Sequence, residues 1–453
     1  MVDALETAPD PLQSLGQRSD LRLPVLTVVH HPHPDFVGRR LVVERKVTLG
    51  RGRSELGAGG LDDDLLSRAH AELEPLGEGL VVRDLESRNG TYVDGQAVRE
   101  APLVPGSVLG IGAISMVLGR GPRRFTAPDD PLLIGLSPAL AQVLDDIRAV
   151  AREPLTVLIR GETGVGKELV ARRIHELSGR RGELVAVNCG AVGDSVLQSE
   201  LFGHARGAFS GAERDRPGLV AAAEGGTLFL DEIGDASPQL QTALLRLLQD
   251  RVYRPVGSDR SRESDARFIA ATHQRLDPAV AEGRFRQDLL ARLRRFVIAV
   301  PPLRERREDI LPIARSYLAE RLGPAVSLDR RLAVALLLHP WPDNVRGLVA
   351  VLDNAAMDAE GGRVGLTPRV VERLDDLARL AEVVPSSEAT TAEAPADPER
   401  ERFRKQRPDG PYLEQRLQAL GGNVKELAAE LGVSRNTLYR WFREAGLDPK
   451  SFR

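Results

Sequence analysis

Residues 155–177 read LTVLIRGETGVGKELVARRIHEL: an apolar, β-branched run, a turn with glycines at 161, 164 and 166, and an amphipathic helix opening near Lys167. Glycine reaches backbone conformations closed to other residues, so such a turn can curl its N–H groups, and the N-terminus of the helix behind it, around an anion. A lysine at the mouth of that helix then reaches the β- and γ-phosphates of a nucleotide. Gly161, Glu162, Thr163, Gly164, Val165, Gly166, Lys167 and Glu168 are therefore the candidate phosphate-binding residues. An isolated match would equally describe a strand-turn-helix with a surface lysine. A second element decides against that: residues 225–233, GGTLFLDEI, read as a buried strand ending in Asp231 and Glu232. One carboxylate in that position holds Mg2+ through water and the next polarises an attacking water. ATP and Mg2+ are the expected ligands, with Asp231 as the metal residue and Glu232 as the catalytic one. Glu168 stands where the general pattern places a Ser or Thr hydroxyl on the metal.

At 453 residues the chain is too long for one core, and two to four domains are expected. Residues 131–303 alternate strands with amphipathic helices, the pattern of an α/β domain with a parallel sheet covered on both faces. Ahead of it, after a flexible stretch at 1–20, residues 21–122 carry short β-type runs (VLTVV, LVVERKVTLG, GLVVRDL, ISMVLG) between Gly, Asp and Asn turns, which predicts a small all-β sandwich. Residues 304–380 read as helical throughout, 381–402 have the composition of a disordered linker, and 403–453 form an all-α module punctuated by Gly421, Gly422 and Gly432. With 62 basic against 65 acidic residues the net charge is -3, so any nucleic-acid contact comes from a local patch. The single cysteine, Cys189, excludes a disulfide framework and a thiolate-rich metal site and fits a reducing cytosol. The opening residues lack the apolar core of a signal peptide, and no later run approaches the ~18 apolar residues of a membrane helix, so a cytoplasmic protein with no membrane partner is expected. His30, His31 and His33 lie in HHPHPD without a carboxylate or thiolate to complete a metal set, and read as an exposed loop.

The ATP motifs and their neighbours resemble the central AAA+ ATPase domain of the enhancer-binding activators of sigma-54 RNA polymerase, over roughly Pro131 to Leu380, with a helical lid from residue 304. In that family Glu after the Walker A lysine is usual, so Glu168 fits. The segment SELFGHARGAFSGA contains Gly207, Ala208, Phe209, Ser210, Gly211 and Ala212, similar to the family loop that presses on the sigma factor, with Ser210 where Thr is usual. Physically, a phenylalanine between small residues makes an exposed apolar tip able to touch a partner in one state and withdraw in another; the same residues would also suit an inward anchor. The resemblance further implies that Asn188 is the switch linking Glu232 to loop movement and that Thr272 is the first sensor, with His273 in place of the usual Asn. Arg286 and Arg292 would be fingers reaching a neighbouring subunit, and Arg346 the second sensor. Fingers acting in trans imply a homo-oligomer, from dimer to the family's hexamer. Gln198 and Gly347 replace residues that are commonly Glu.

Three ordered clusters in the β domain, TLGRGRSELG, LSRAHAEL and SRNGTYVDGQAV, resemble a forkhead-associated (FHA) domain. The resemblance implies that Arg51 and Ser67 hold a phosphothreonine, Arg68 assists, Asn89 fixes the peptide backbone and His70 is structural. An Arg fork plus a hydroxyl suits a dianion. The partner would be a phosphothreonine protein or the target of a Ser/Thr kinase. LEQRLQALGGNVKELAAELGVSRNTLYRWFREAGL has the spacing of three helices, with Asn423 and Ser434 as N-caps, and resembles the Fis-type helix-turn-helix. Ser434, Arg435, Asn436, Thr437, Tyr439 and Arg440 would then face upstream enhancer DNA. The whole reads as a sigma-54-dependent activator in which a hexameric ATPase remodels the closed complex of the polymerase holoenzyme, regulated through phosphothreonine. Two other readings are a phosphopeptide-responsive DNA-binding scaffold or repressor with a vestigial ATPase, and an ATP-driven remodeller unconnected with transcription.

Overall fold

The computed structural model describes residues 23–383 apart from Ser54, Ala58, Val192 and Gly211, together with residues 410–419 and Leu427. Residues up to 383 form one compact unit and those from 384 a second.

The first layer is the expected sandwich. Strands β1 (Leu23–His30), β2 (Arg40–Val42), β6 (Thr91–Val93), β7 (Gln96–Val98), β9 (Val108–Ile111) and β10 (Ile114–Gly121) form one sheet in the order β2-β1-β10-β9-β6-β7. Strands β3 (Val47–Leu49), β4 (Ala71–Leu76), β5 (Gly79–Asp84) and β8 (Glu100–Leu103) form the other, in sequence order. Side chains alternate between faces along a strand, and β1 and β10 bury both. Leu26, Val28, Ile114, Met116 and Leu118 fill the sandwich core, while Val29, Val108 and Val117 belong to a core shared with helices of the lid. That double coverage explains why VLTVV carries no polar alternation.

The α/β domain has a five-stranded parallel sheet of β11 (Val157–Arg160), β12 (Leu184–Asn188), β13 (Thr227–Asp231), β14 (Arg267–Thr272) and β15 (Phe296–Ala299), ordered β12-β13-β14-β11-β15. Helices α1 (Pro138–Val150) and α2 (Lys167–Ser178) cover one face against Val157, Ile159 and Ile269. Helices α3 (Asp194–Phe202), α4 (Pro238–Asp250) and α5 (Gln287–Leu293) cover the other against Leu158, Leu228 and Phe268. One strand, β14, therefore separates the phosphate-loop strand β11 from β13, which delivers Asp231 and Glu232, and its C-terminal end adds Thr272 and His273 between them. The N-cap serines Ser137 and Ser237 accept from Leu140 N and Leu240 N and fix the starts of α1 and α4.

The lid comprises α6 (Ile310–Leu322), α7 (Arg330–Leu338), α8 (Asn344–Met357) and α9 (Pro368–Val383) around a fully buried Trp341. It is not helical throughout, because Ser327–Leu328 pairs with Arg363–Val364 as a short parallel ladder. Helix α9 runs to Val383, three residues into the segment expected to be linker. The second unit contributes helix Gly410–Ala419, whose Leu413 and Leu417 are buried along with Leu427. The DNA-facing candidates from Ser434 to Arg440 lie outside the described residues. Among the described residues no helix is long and apolar enough to cross a membrane.

His31 corrects the exposed-loop expectation. It is 3% exposed, lies 4.7 Å from the Phe36 ring and places Nε2 3.2 Å from Gly60 O. Burial of its ring lowers its pKa, so it is a packing residue of the β1–β2 connection. His30, at the end of β1, is likewise largely enclosed, and burial with the nearby Arg315 and Arg330 charges brings its pKa down to about 4.

Asp309 ties the lid to the start of α1. Fully buried, it accepts from Leu136 N and Ser137 N at 2.7 Å and from Ser137 Oγ at 2.8 Å, and a Cβ on Gly135 would strike its carboxylate at 2.4 Å. Asp309→Ala orphans these donors and should destabilise this unit by about 3 kcal/mol or more, and Asp309→Asn by less. Urea unfolding followed by circular dichroism measures both; an unchanged midpoint for Asp309→Ala contradicts this role.

Candidate functional site

The phosphate loop bridges β11 and α2, and its glycines are required by contact as well as by conformation. Gly164 (φ +78°) would place a Cβ 2.3 Å from Asp343 O, and Gly166 caps α2 at φ +104°. Lys167, 7% exposed, donates to Gly161 O at 3.0 Å and to Glu232 Oε1 at 3.2 Å. Glu232 sits in the left-handed region at φ +49°, a conformation that costs a non-glycine residue of order 1–3 kcal/mol. Its other oxygen, Oε2, accepts from His273 Nδ1 at 2.7 Å and His273 N at 3.2 Å. Burial would raise its pKa, but the His273 hydrogen bond and the Lys167 charge outweigh that and hold it below the usual carboxylate range. Neighbouring Asp231 is shifted the other way, by burial and by the Glu232 charge. A bound cation would relieve that repulsion, so Asp231 suits the metal role chemically.

Lid residues complete the loop's surroundings. Asn344 donates to Glu162 Oε2 and Thr163 O, both at 3.0 Å, and accepts from Leu303 N at 2.8 Å. Arg304 grips both oxygens of Glu162, at 2.8 and 2.5 Å, and Arg306 donates to Val165 O at 2.9 Å. Val345 N and Arg346 N donate to Gly164 O. Arg346 is exposed, with its Cβ against Gly164, beside the phosphate loop. Motif reading alone missed His273, Asn344, Arg304 and Arg306 as supports. The signals available were the departure at 273 and the crowding of charge in the segment from Leu303 to Asp309.

The other candidates are placed as follows. Thr272 is buried at the end of β14 and accepts from Gln274 N. Asn188 ends β12 beside Asp231, but its side chain accepts from Gly190 N at 2.9 Å while Glu232 is held by Lys167 and His273. Glu168 is exposed in the first turn of α2. Arg286 and Arg292 lie exposed at the two ends of α5, and Arg286 is paired with Asp288. The Gly207–Ala212 loop is closed by Gly207 N to Ala212 O at 2.8 Å and anchored by Ala205 N to Val256 O. Phe209 is 47% exposed at its tip with its ring against His204, 4.9 Å between centroids. Ser210 is exposed as well, and Gly211 lies outside the described residues.

In the sandwich, the β3–β4 and β5–β6 connections converge. Arg51 N donates to Ser67 O, Arg88 N to Ser67 Oγ at 3.0 Å, and Asn89 Nδ2 to Leu65 O at 2.7 Å. His70, fully buried, bridges Ser67 N and Gly90 O. The exposed Arg51 side chain meets Asp64 at 3.4 Å, and Arg68 is exposed. Gly50 is compelled by Arg68 O, 2.2 Å from where its Cβ would lie.

Comparison with known proteins agrees with this geometry region by region. Residues 133–299 match the sigma-54 interaction domain, 47–112 the FHA domain, 304–368 the AAA+ ATPase lid domain and 409–441 the Fis family of bacterial regulatory proteins. The transcriptional regulatory protein ZraR of Klebsiella oxytoca is 44% identical over 311 residues, 68% of this chain and 67% of that one. The nitric oxide reductase transcription regulator NorR1 of Cupriavidus necator is 41% identical over 349 residues, 74% and 68% of the two chains. A crystal structure of NtrX from Brucella abortus in complex with ATP superposes with a TM-score of 0.49 at 30% identity over 70% of each chain. The chain thus belongs to the sigma-54-dependent enhancer-binding activators, combining an FHA domain, an AAA+ sigma-54 interaction domain with its lid, and a Fis-type helix-turn-helix.

Proposed function

We propose that this activator hydrolyses ATP between protomers of a hexameric ring and uses the cycle to drive its Gly207–Ala212 loops against sigma-54, remodelling the closed complex, with phosphothreonine recognition by the FHA domain as its input. The observation that carries the ATPase part is the Lys167–Glu232 contact at 3.2 Å, a buried lysine on a half-buried glutamate beside Asp231 at the C-terminal ends of the strands. A vestigial site has no reason to hold a strained, ionised glutamate against a buried lysine.

Gly161 to Lys167 would cradle the phosphates of ATP, and Asp231 would hold Mg2+, which neutralises charge on the transferring group. A γ-phosphate gives Lys167 a stronger anionic partner than Glu232 and so frees that carboxylate, which stays held by His273. Glu232 then orients an attacking water and accepts its proton. Thr272 and Arg346 flank the phosphates, Arg286 and Arg292 reach the neighbouring protomer, and Asn188 relays the state of the site toward α3 and the loop. Supporting this are the positions of Thr272 at the strand ends, of Arg346 against Gly164 and of the two arginines on the exposed face of α5. Upstream DNA is engaged through Ser434 to Arg440.

Glu232→Gln should retain ATP binding while turnover falls by about 10²-fold or more, measured by phosphate release; near-normal turnover would return the site to the vestigial reading. Phe209→Ala should keep phosphate release within about twofold yet abolish transcription from a sigma-54 promoter in vitro. Full promoter opening by that variant would remove the loop from the mechanism. Arg51→Ala should weaken capture of a phosphothreonine peptide library about 10-fold or more, as loss of a charge-assisted fork does, with an unphosphorylated library as the blank. Equal capture by both proteins would end the input reading.

A further inference from the structure

The FHA sandwich and the phosphate loop are joined by a continuous run of contacts through the lid. On the FHA side the run begins in the loop that holds Ser67. Arg88 and Asn89 pass through Gly90 directly into β6, where the Tyr92 ring lies under the Arg330 guanidinium of α7 at 5.6 Å. At the next turn a Cβ on Gly95 would stand 3.1 Å from Leu338 at the other end of α7. Beyond α7 the chain turns through Trp341, whose Nε1 donates back to Leu336 O at 2.8 Å, and through two left-handed residues, Trp341 and Asn344. Asn344 and Val345 then bond Glu162, Thr163 and Gly164 of the phosphate loop.

We propose that the phosphothreonine loops and the phosphate loop are thermodynamically linked through helix α7, so that occupation of either site changes affinity at the other. This rests on the functional reading given above for the two sites. A linkage needs an element with two arrangements close in free energy, and the FHA–lid interface combines groups that favour docking with groups that oppose it. Its apolar contacts through Val29, Val108 and Val117 favour docking. Against them, Glu308 is 6% exposed, its carboxylate lying against the β10 backbone at Gly119, and burial lifts its pKa to about 7. Among the described residues the Nε groups of Arg40 and Arg307 are buried there without hydrogen-bond partners, while their Nη1 groups donate to Pro122 O and Gly106 O. The Arg40 and Arg307 charges only partly offset the burial of Glu308, and this cost, with that of the two Nε groups, opposes docking and leaves the interface open to bias by nucleotide.

Hydrogen–deuterium exchange on the full chain, with and without saturating Mg-ATPγS, tests this. Exchange over residues 88–98 should change about 5-fold or more, the lower end of ordinary coupling between sites. Gly119→Val, which drives bulk toward Glu308 without touching either site, should erase that response while fluorescent-nucleotide binding persists; Leu338→Ala serves if the first variant fails to fold. An unchanged FHA response in the wild-type protein, or a full response in the variant, overturns the linkage. Loss of nucleotide binding in the wild type would instead refute the ATPase reading and this inference with it. Because no phosphopeptide enters the measurement, failure of the phosphothreonine reading is seen separately, in the Arg51→Ala capture.

Discussion

The backbone of the lid rests directly on the phosphate loop at Gly164, and the rest of the catalytic geometry depends on that approach. A side chain there would meet Asp343 O at 2.3 Å, and the carbonyl of the same glycine accepts from Val345 N. With Asn344 bonded to Glu162 and Thr163 while receiving Leu303 N, the loop is as much a part of the lid's surface as of the sheet's. A nucleotide entering the loop would therefore meet both the sheet domain and the lid. In the proposed cycle, free energy from its phosphates would act on the angle between them, because packed interfaces shift between discrete arrangements and do not deform smoothly.

The Lys167–Glu232 pair, 3.2 Å apart, is the contact that the proposed cycle would break first. Two opposite charges this buried gain little net stability over apolar residues, but removing one partner leaves a costly uncompensated charge. The lysine is thus held in place until another anion arrives, and the glutamate is kept ionised by the same contact together with His273. Both restraints act on a residue already strained at φ +49°. Strain of this sort persists only where surroundings over-determine it, and here the surroundings are Lys167 on one oxygen and His273 on the other.

Much of this was legible from sequence because glycine spacing and side-chain period carry geometric meaning. The phosphate loop, the Asp231–Glu232 strand end and the sandwich are each specified by local rules that packing did not override. What sequence left open was pairing at a distance. Nothing in VNCGA says that Asn188 turns to the Gly190 amide, and nothing in ATHQRL says that His273 folds onto Glu232. His31 misled for a related reason: a histidine among prolines looks solvated until the Phe36 ring and Gly60 carbonyl that enclose it are known. The helix-turn-helix was legible as spacing, and the candidates for contact with DNA lie outside the described residues.

The unbroken burial of β1 from Val25 to Val29 carries the same lesson further. Read alone, VLTVV says that both faces of a strand are covered but not by what. In a free-standing FHA sandwich the face bearing Val29, Val108 and Val117 would be an exposed apolar patch of the kind that marks an interaction site. Here lid residues Leu332, Leu336 and Trp341 belong to the same core. The FHA sandwich is therefore built onto the lid that borders the phosphate loop, and any change in lid angle would have to be accommodated either by carrying the FHA domain along or by opening this interface. Either outcome would reach the loops around Ser67 and Asn89, because β6 is a three-residue strand that begins immediately after Gly90.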